Sequence, residues 1–469
     1  MTPDANDLCV FAIKRGDMES RFDPHFYLPV FQSIIKLIKQ RKYKRLGELV
    51  EFSNSTTDFS EFDDDYFDYL EISGIMLGSN QYRTTKTEIK NAPSRAKMKT
   101  QKGDIVVSLT RPHRGAIAII NQNGIIASTG FSVICKVDDS FDKKWLLYTL
   151  LCKVCLQQML QRSSGGNYPA IIEDELKKVY IPLVEYSLQI KMVSELESRL
   201  SSVQAKEREA NDLLRNNSLF ILDKLHLSFS VEHTPLVFVT KRNWIDDRID
   251  ADYYSPKFVA FRNQIEESQY FSVSIGEIAE TIVTGFAAGK QDQADDLPEE
   301  QRVPHLRPFS INPEGELSFE TKKYVPKANL KQEDYCVKRE ILFNNTNSPD
   351  LVGKTTVFDS DVVCAASNHM TRITVKDGVN PYYVAAFFNV LLSIGYWKLL
   401  CTNFNNQAGV NTETLKKVKI PLPSKDIQDQ IANEIMQRRA QANMLRKQAA
   451  KEWAEAKAQF EKELLGEKN

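Results

Sequence analysis

The octapeptide LKKVYIPL, Leu176 to Leu183, returns as LKKVKIPL at Leu415 to Leu422, and that return constrains the fold more than any other feature. A repeat of this kind requires two similar structural units, whatever each unit looks like. Earlier segments repeat in the same order. VFAIKR at Val10 matches VFVTKR at Val237, and RFDPHFYLP at Arg21 matches RIDADYYSP at Arg248. LGEL at Leu46 matches IGEI at Ile275, and YLEISGI at Tyr69 matches HLRPFSI at His305. KGDIVVS at Lys102 matches KREILFN at Lys338, and ASTGFSVI at Ala127 matches ASNHMTRI at Ala366. The offset grows from 227 residues (Arg21 to Arg248) to 239 (Leu176 to Leu415), so the copies keep their order and differ by short loop insertions.

Each copy reads in three parts. Strand-like runs such as DIVVSL, GAIAII and GFSVICKV, separated by Gly, Pro, Asn and Asp, predict an α+β domain. A short apolar helix follows, KKWLLYTLLCKVCLQQML in one copy and PYYVAAFFNVLLSIGYWKLL in the other. After the proline of IPL, which cannot continue a helix, a long helix begins. From Leu188 to Leu225, apolar residues fall at alternating three and four spacings (Val193, Leu196, Leu200, Val203, Ala210, Leu214, Ile221). From Ile427 to Leu465, Ile431, Ile435, Ala442, Leu445, Ala449 and Ala456 do the same. Both are coiled-coil seams, and each helix would span on the order of 55 to 60 Å. Either the two helices pair with each other, antiparallel if the copies are related by a pseudo-twofold axis, or each packs on its own domain. The expected boundaries are residues 1–185 and 229–425 for the α+β domains, with helices at 186–228 and 426–469.

Composition excludes several classes. The 469 residues are 42% hydrophobic and 26% charged, which suits two or three globular domains rather than a disordered or fibrous chain. No apolar run is long enough to span a bilayer, and the start MTPDANDLCVFAIKRGD lacks the pattern of a secretory signal, so a cytoplasmic protein with no membrane partner is expected. The 7 cysteines are scattered. Cys152 and Cys155 form a CxxC with no second pair or nearby His to complete a zinc site, so both read as core residues. The formal net charge is −1, which argues against holding nucleic acid by bulk charge. Locally the picture differs: Gln81 to Gly115 carries nine basic and two acidic residues, whereas Glu51 to Leu70 carries seven acidic and no basic ones.

Three motifs suggest catalysis and fail on inspection. GFAAGKQ at Gly285 has too few residues between its glycines for a phosphate loop and Gln291 where the magnesium-binding hydroxyl belongs. NPYY at Asn380 lacks the second proline of the amino-methyltransferase pattern and serves well as a helix N-cap and first turn. DELKK at Asp174 recurs as TETLKK, which marks it as scaffold.

The duplicated order of these segments resembles the specificity subunit of type I restriction-modification systems, and the resemblance covers nearly the whole chain. Its details are the KGDIVVSLTRPHRGAIAII and KREILFNNTNSPDLVGKTTVF segments, the small-residue loops SSGGNYPA and NNQAGVNT before LKKV, and the glutamine after each IPL (Gln189, Gln428). The resemblance implies two target recognition domains, each reading one half of a bipartite site in double-stranded DNA. It implies paired helices acting as a fixed spacer, and docking of methyltransferase subunits (two) and restriction subunits. No cofactor is then expected in this chain; S-adenosylmethionine, ATP and magnesium belong to the partners. A coiled-coil adaptor that binds proteins, or the specificity subunit of another nuclease-methylase type, are the competing readings.

Where the copies disagree in loops between matched strands, base discrimination is expected. TRPHRG offers Arg111 and Arg114 for guanine edges or phosphate, and His113 for either; NNTNSPD offers the amides of Asn344, Asn345 and Asn347, which suit adenine edges. Arg83, Lys86, Arg95, Lys97 and Lys99 are expected to position phosphates, with counterparts in Lys322, Lys323, Lys327 and Lys331. Asn167 and Tyr168 in one loop, and Asn405, Asn406 and Gln407 in the other, face DNA or cap turns. Arg307 is a further DNA-binding candidate. The opening motifs read as joints where a helix end meets the next domain, with Arg21 and Arg248 pairing local carboxylates.

Overall fold

The computed structural model describes residues 11–19, 21–62, 64–230, 237–242, 245, 250–312, 314–319, 323–404 and 407–466. The chain divides into two compact units, residues 1–205 with 448–469, and residues 206–447.

The first copy runs α1 (Pro29–Lys39), β1 (Tyr43–Arg45), β2 (Val50–Ser53), β3 (Tyr66–Leu70), β4 (Ile75–Met76), β5 (Gln81–Tyr82), β6 (Thr85–Glu88), β7 (Ala96–Lys99), β8 (Ile105–Ser108), β9 (Ile117–Ile119), β10 (Ile125–Ser128), β11 (Phe131–Val137), α2 (Lys143–Leu150), α3 (Lys153–Gln161), α4 (Glu173–Leu176), β12 (Tyr180–Pro182) and α5 (Tyr186–Arg215). The second runs α6 (Asn217–Lys224), α7 (Pro256–Glu266), β13 (Phe271–Ser274), α8 (Ile275–Ile278), β14 (Ala279–Thr284), β15 (Arg302–Leu306), β16 (Tyr324–Pro326), β17 (Ile341–Asn344), β18 (Thr346–Asn347), β19 (Thr355–Val357), β20 (Ala365–Ala366), β21 (Met370–Val375), α9 (Pro381–Ser393), α10 (Tyr396–Leu400), β22 (Thr402–Phe404), β23 (Gln407–Gly409), α11 (Thr412–Lys417), β24 (Lys419–Leu422) and α12 (Lys425–Leu464).

The sheets repeat with the sequence. One four-stranded antiparallel sheet has order β2-β11-β8-β9 in the first copy and β14-β21-β17-β19 in the second. A second sheet centres on the parallel pair β3/β10 or β15/β20, in the same register: Leu70 faces Ala127, and Leu306 faces Ala366. The IPL strands β12 and β24 pair antiparallel with β1 and β13, which precede LGEL and IGEI, so the ends of each copy are stitched together.

The central strands β8 and β17 are buried on both faces, which explains their unbroken apolar runs. Their alternating side chains serve two different cores. Ile105 and Val107 pack with Trp145, Leu147 and the α5 residues Val193 and Leu196, whereas Val106 packs with Leu70, Ile75 and Ala127. In the second unit Ile341 and Phe343 join Phe388, Trp397, Ile431 and Ile435, while Leu342 joins Leu306, Ile311 and Met370. Each unit therefore has a base lobe on the helices and a distal lobe beyond the shared strand. Each of these large side chains contributes about 1.5–3 kcal/mol by burial.

The helices follow the predicted seam. Val193, Leu196, Val203, Ala210 and Ile221, and all six seam residues from Ile431 to Ala456, are buried. Within the first unit Tyr148 meets both Glu197 and Phe460, and Ser202 bonds Glu452, so α5 and α12 run antiparallel there. Within the second, Asn211 accepts from Arg446 and Phe220 lies under Arg438, again antiparallel. Three expected continuous helices are broken. Asn216 separates α5 from α6, an extended Cys152 separates α2 from α3, and Gly395, at φ +76, separates α9 from α10. Cys152 and Cys155 are buried among apolar side chains, and burial pushes both thiols up, as core residues require.

Both glutamines after IPL do the same work. Gln189 accepts from Asp142 N and donates to Val184 O; Gln428 accepts from Asn380 N and donates to Pro423 O. The opening motif also folds as read: Arg21 pairs with Asp23 at 2.9 Å, Asp23 accepts from Phe26 N, and Pro29 starts α1. In the second copy Asp250 accepts from Tyr253 N and Pro256 starts α7, whereas Arg248 lies outside the described residues.

Candidate nucleic-acid interface

In both copies the loop after the central strand is bonded to the loop before LKKV. In the first, Leu109 donates to Gly130 O and Ile171 donates to Leu109 O; Thr110 bridges Ala170, and Arg111 N donates to Pro169 O. In the second, Asn345 donates to His369 O and Val410 donates to Asn345 O, while β18 and β22 flank β23. These bonds place Arg111 and Asn347 at equivalent points of one frame, and Tyr168 and Gln407 at another.

On that shared frame the chemistry differs. The Arg111 guanidinium sits 4.0 Å above the centre of the Tyr168 ring and donates to Asn167 O at 3.2 Å, and Tyr168 is 70% exposed. A cation over a wet aromatic face keeps most of its donors free for a phosphate or a guanine edge. Arg111 holds φ +49, ψ +50, a left-handed conformation unusual outside glycine. Arg114 is exposed on the next turn. His113 points elsewhere: it lines a cleft with Cys152, Leu156, Trp453 and Lys457, its Nδ1 is buried, and burial together with Arg114 and Arg111 lowers its pKa. Its expected DNA contact is withdrawn.

The second copy presents amides. Asn347 and Gln407 line a cleft of about 650 Å³ with Arg307, His305, Asn368 and His369, and among the described residues no carboxylate lines it. Asn344 and Asn345 do not take part. Both are buried, Asn344 donating to Leu351 O, and Asn345 to Asn368 O and Thr371 Oγ1, so neither amide can reach a base. His305 is 3% exposed; burial, reinforced by the Arg307 charge, pushes its pKa down to about 4, so the ring is neutral at neutral pH. His305, Asn368 and His369 were missed from sequence, although ASNHM facing ASTGF in the repeat marks the last two as a point of divergence.

The basic stretch is not one patch. Lys86 lies on β6 opposite Asp68, and Lys97 and Lys99 lie on β7, at the other edge of the sheet β6-β3-β10-β7, about 14 Å across at the usual strand spacing. Backbone bonds from Thr57 to Lys97 and from Lys99 to Ser55 fold the acidic segment against β7, where hydrogen bonds from the Ser60 hydroxyl and amide, with a smaller contribution from the Lys99 charge, lower the Asp58 pKa. Exposed Arg95 accepts from Thr129 N through its carbonyl, which places it at the Arg111 end of the lobe; Arg83 is exposed beyond β5. Lys323 pairs with Asp295 at 2.7 Å, and Lys331 lies 3.9 Å from Glu333, while Lys327 is exposed. Lys322, Asn405 and Asn406 lie outside the described residues.

The catalysis-like motifs resolve as structure. A Cβ at Gly285 would stand 2.2 Å from Ala366 O, so the glycine admits a neighbouring backbone. Asn380 caps α9 through Tyr382 N. Among the described residues no three His, Cys, Asp or Glu side chains gather to hold a metal, and no helix is long and apolar enough to cross a membrane.

Comparison with known proteins agrees with the duplication. The family model described as "Type I restriction modification DNA specificity domain" matches residues 39–214 and 267–451, one match per copy. A curated relative, the "Putative type I restriction enzyme MjaX specificity subunit" of Methanocaldococcus jannaschii, is 29% identical over 110 residues, 22% of this chain; the match spans 26% of that relative's length. A solved structure described as "Structural basis underlying complex assembly and conformational transition of the type I R-M system" aligns over 91% of this chain and 96% of its own, with 20% identity and a TM-score of 0.50, a likeness of fold. The crystal structure of the HsdS subunit from Thermoanaerobacter tengcongensis aligns over 91% of this chain and 97% of its own, with 20% identity and a TM-score of 0.36. With both copies matched over most of their length, the chain belongs to the family of type I restriction-modification DNA specificity subunits.

Proposed function

We propose that the distal lobe of each unit is a reading lobe that recognises one half of a bipartite, asymmetric site in duplex DNA, and that the chain itself performs no chemistry. One observation carries this reading: the same hydrogen-bonded frame presents Arg111 with Tyr168 in one copy and Asn347 with Gln407 in the other. Arginine suits guanine O6 and N7, and amides suit adenine N6 and N7, so one scaffold reads two different half-sites. A single chain with unequal readers escapes the palindrome that a homodimer imposes. Arg83, Arg95, Arg114 and Lys327 are exposed and serve phosphates, which fix register without carrying sequence.

The antiparallel helices act as the spacer, and half-sites about 34 Å apart present the same groove face to both lobes. Methyltransferase and restriction subunits dock on this scaffold and hold S-adenosylmethionine, ATP and magnesium. Partner subunits supply part of the phosphate neutralisation that a chain of net charge −1 lacks. The test is binding to duplex DNA at several salt concentrations, with and without the methyltransferase. Selective, salt-dependent binding that strengthens in the complex is expected. Absence of sequence selectivity in the complex sinks the reading.

A further inference from the structure

The second reading lobe is tied to the spacer helix by a device that has no counterpart among the described residues of the first copy. Between β15 and β16 an Ile311–Leu317 bridge closes a hairpin, in which Asn312 N donates to Glu316 O and Gly315 N to Asn312 O. Its root belongs to the reading lobe, since Ile311 and Leu317 pack with Leu306, Leu342 and Met370. Its tip lies on α12. Arg439 Nη2 donates to Glu314 O at 2.8 Å, Asn443 Nδ2 to Glu316 Oε1 at 2.8 Å, and Arg446 Nη2 to Glu314 Oε1 at 3.4 Å.

These three donors stand at 439, 443 and 446, the four-then-three spacing that puts them on one helix face. The approach is close: Gly315 has φ +75, and a Cβ there would stand 2.6 Å from Asn389 Nδ2 and 2.9 Å from Arg439 Nη2. The corresponding turn of the first copy, Leu77 to Asn80, carries no carboxylate. Its polar groups turn inward, Gly78 N to Gly115 O and Asn80 Oδ1 to Ile119 N.

We infer that Arg439, Asn443 and Arg446 are positioning residues that lock the angle of the second reading lobe on the spacer helix, and so set how strictly the distance between half-sites is enforced. The inference rests on the half-site reading above. The lobe meets its base along the shared strand β17 and through Lys354, which donates to Pro308 O and Ile311 O; the three bonds to α12 add a further point of attachment that limits rocking about that strand. The lock touches no base, so it controls spacing without controlling sequence.

The test uses the complex with its methyltransferase and duplexes in which the native spacer is kept, shortened or lengthened by one base pair. Two variants break the clamp from opposite sides, Asn443→Ala/Arg446→Ala on the helix and Glu316→Ala on the hairpin; the second leaves the Arg446–Asn211 bond intact. Both keep Arg439 and are checked for folding by thermal melting. Because each clamp bond has a charged partner, the preference for the native spacer is expected to fall about tenfold in Glu316→Ala and at least as far in the double variant, with base preference inside each half unchanged. Folded variants with undiminished spacer preference overturn the clamp alone. An unaltered complex without sequence preference overturns the half-site reading, and the clamp with it.

Discussion

Arg111 offers a substitution whose effects on folding and on recognition separate. In Arg111→Gly the left-handed backbone no longer opposes a Cβ, a relief of about 1–2 kcal/mol, offset by glycine's larger unfolded-state entropy of about 0.5–1 kcal/mol. The lost stack on Tyr168 costs about 0.5–1 kcal/mol, because the ring is mostly exposed. These terms cancel to within about 1 kcal/mol, so the melting of the first unit is expected to stay nearly unchanged. Recognition is not protected by any such cancellation. A bidentate contact to one base contributes about 1–3 kcal/mol of discrimination, so methylation of substrates varied at one position of one half-site should lose about 5- to 150-fold selectivity there. If Arg111 grips phosphate instead, all sequences weaken together and the salt slope drops by about 0.9. A variant that folds normally, and changes neither selectivity nor salt slope, refutes the placement of Arg111 at the DNA.

Two further outcomes follow from buried groups. His305 has a folded pKa lowered to about 4, so the neutral ring stabilises the second unit fully above the unfolded value of about 6.5, and that contribution is lost as pH falls from there towards 4. The unfolding free energy should drop by up to about 1.4 kcal/mol per pH unit in that window, and the slope should flatten in His305→Gln; equal slopes contradict it. Gly285→Ala, with its Cβ directed at Ala366 O, should destabilise the second unit by at least about 1–3 kcal/mol in denaturant melts, and an unchanged midpoint contradicts the close approach.

The frame was legible in the sequence because it is written twice. The pairs Leu46/Ile275, Leu70/Leu306 and Leu176/Leu415 hold equivalent buried positions, and periodicity alone located the helix seam at Val193 and Ile431. Arg111, Tyr168, Asn347 and Gln407 were legible as points where the copies diverge. The errors came from strand order and burial, which neighbouring residues in sequence do not report. Lys86 and Lys97 are eleven residues apart yet sit on opposite sheet edges, because β3 and β10 intervene. Asn344 and Asn345 look like readers by residue type. Their counterparts Ser108 and Leu109 show instead that these two positions belong to the frame, where a buried amide must spend its bonds internally. The clamp at Glu314 and Glu316 was invisible because its partners lie more than 120 residues away on α12.

The claim that the chain is two independent readers on one frame is tested most directly by exchanging residues 235–425 for the second domain of another specificity subunit and mapping methylated sites. The account predicts a new sequence in one half-site, with the other half and the spacer unchanged. Alteration of both half-sites, or of neither, contradicts it.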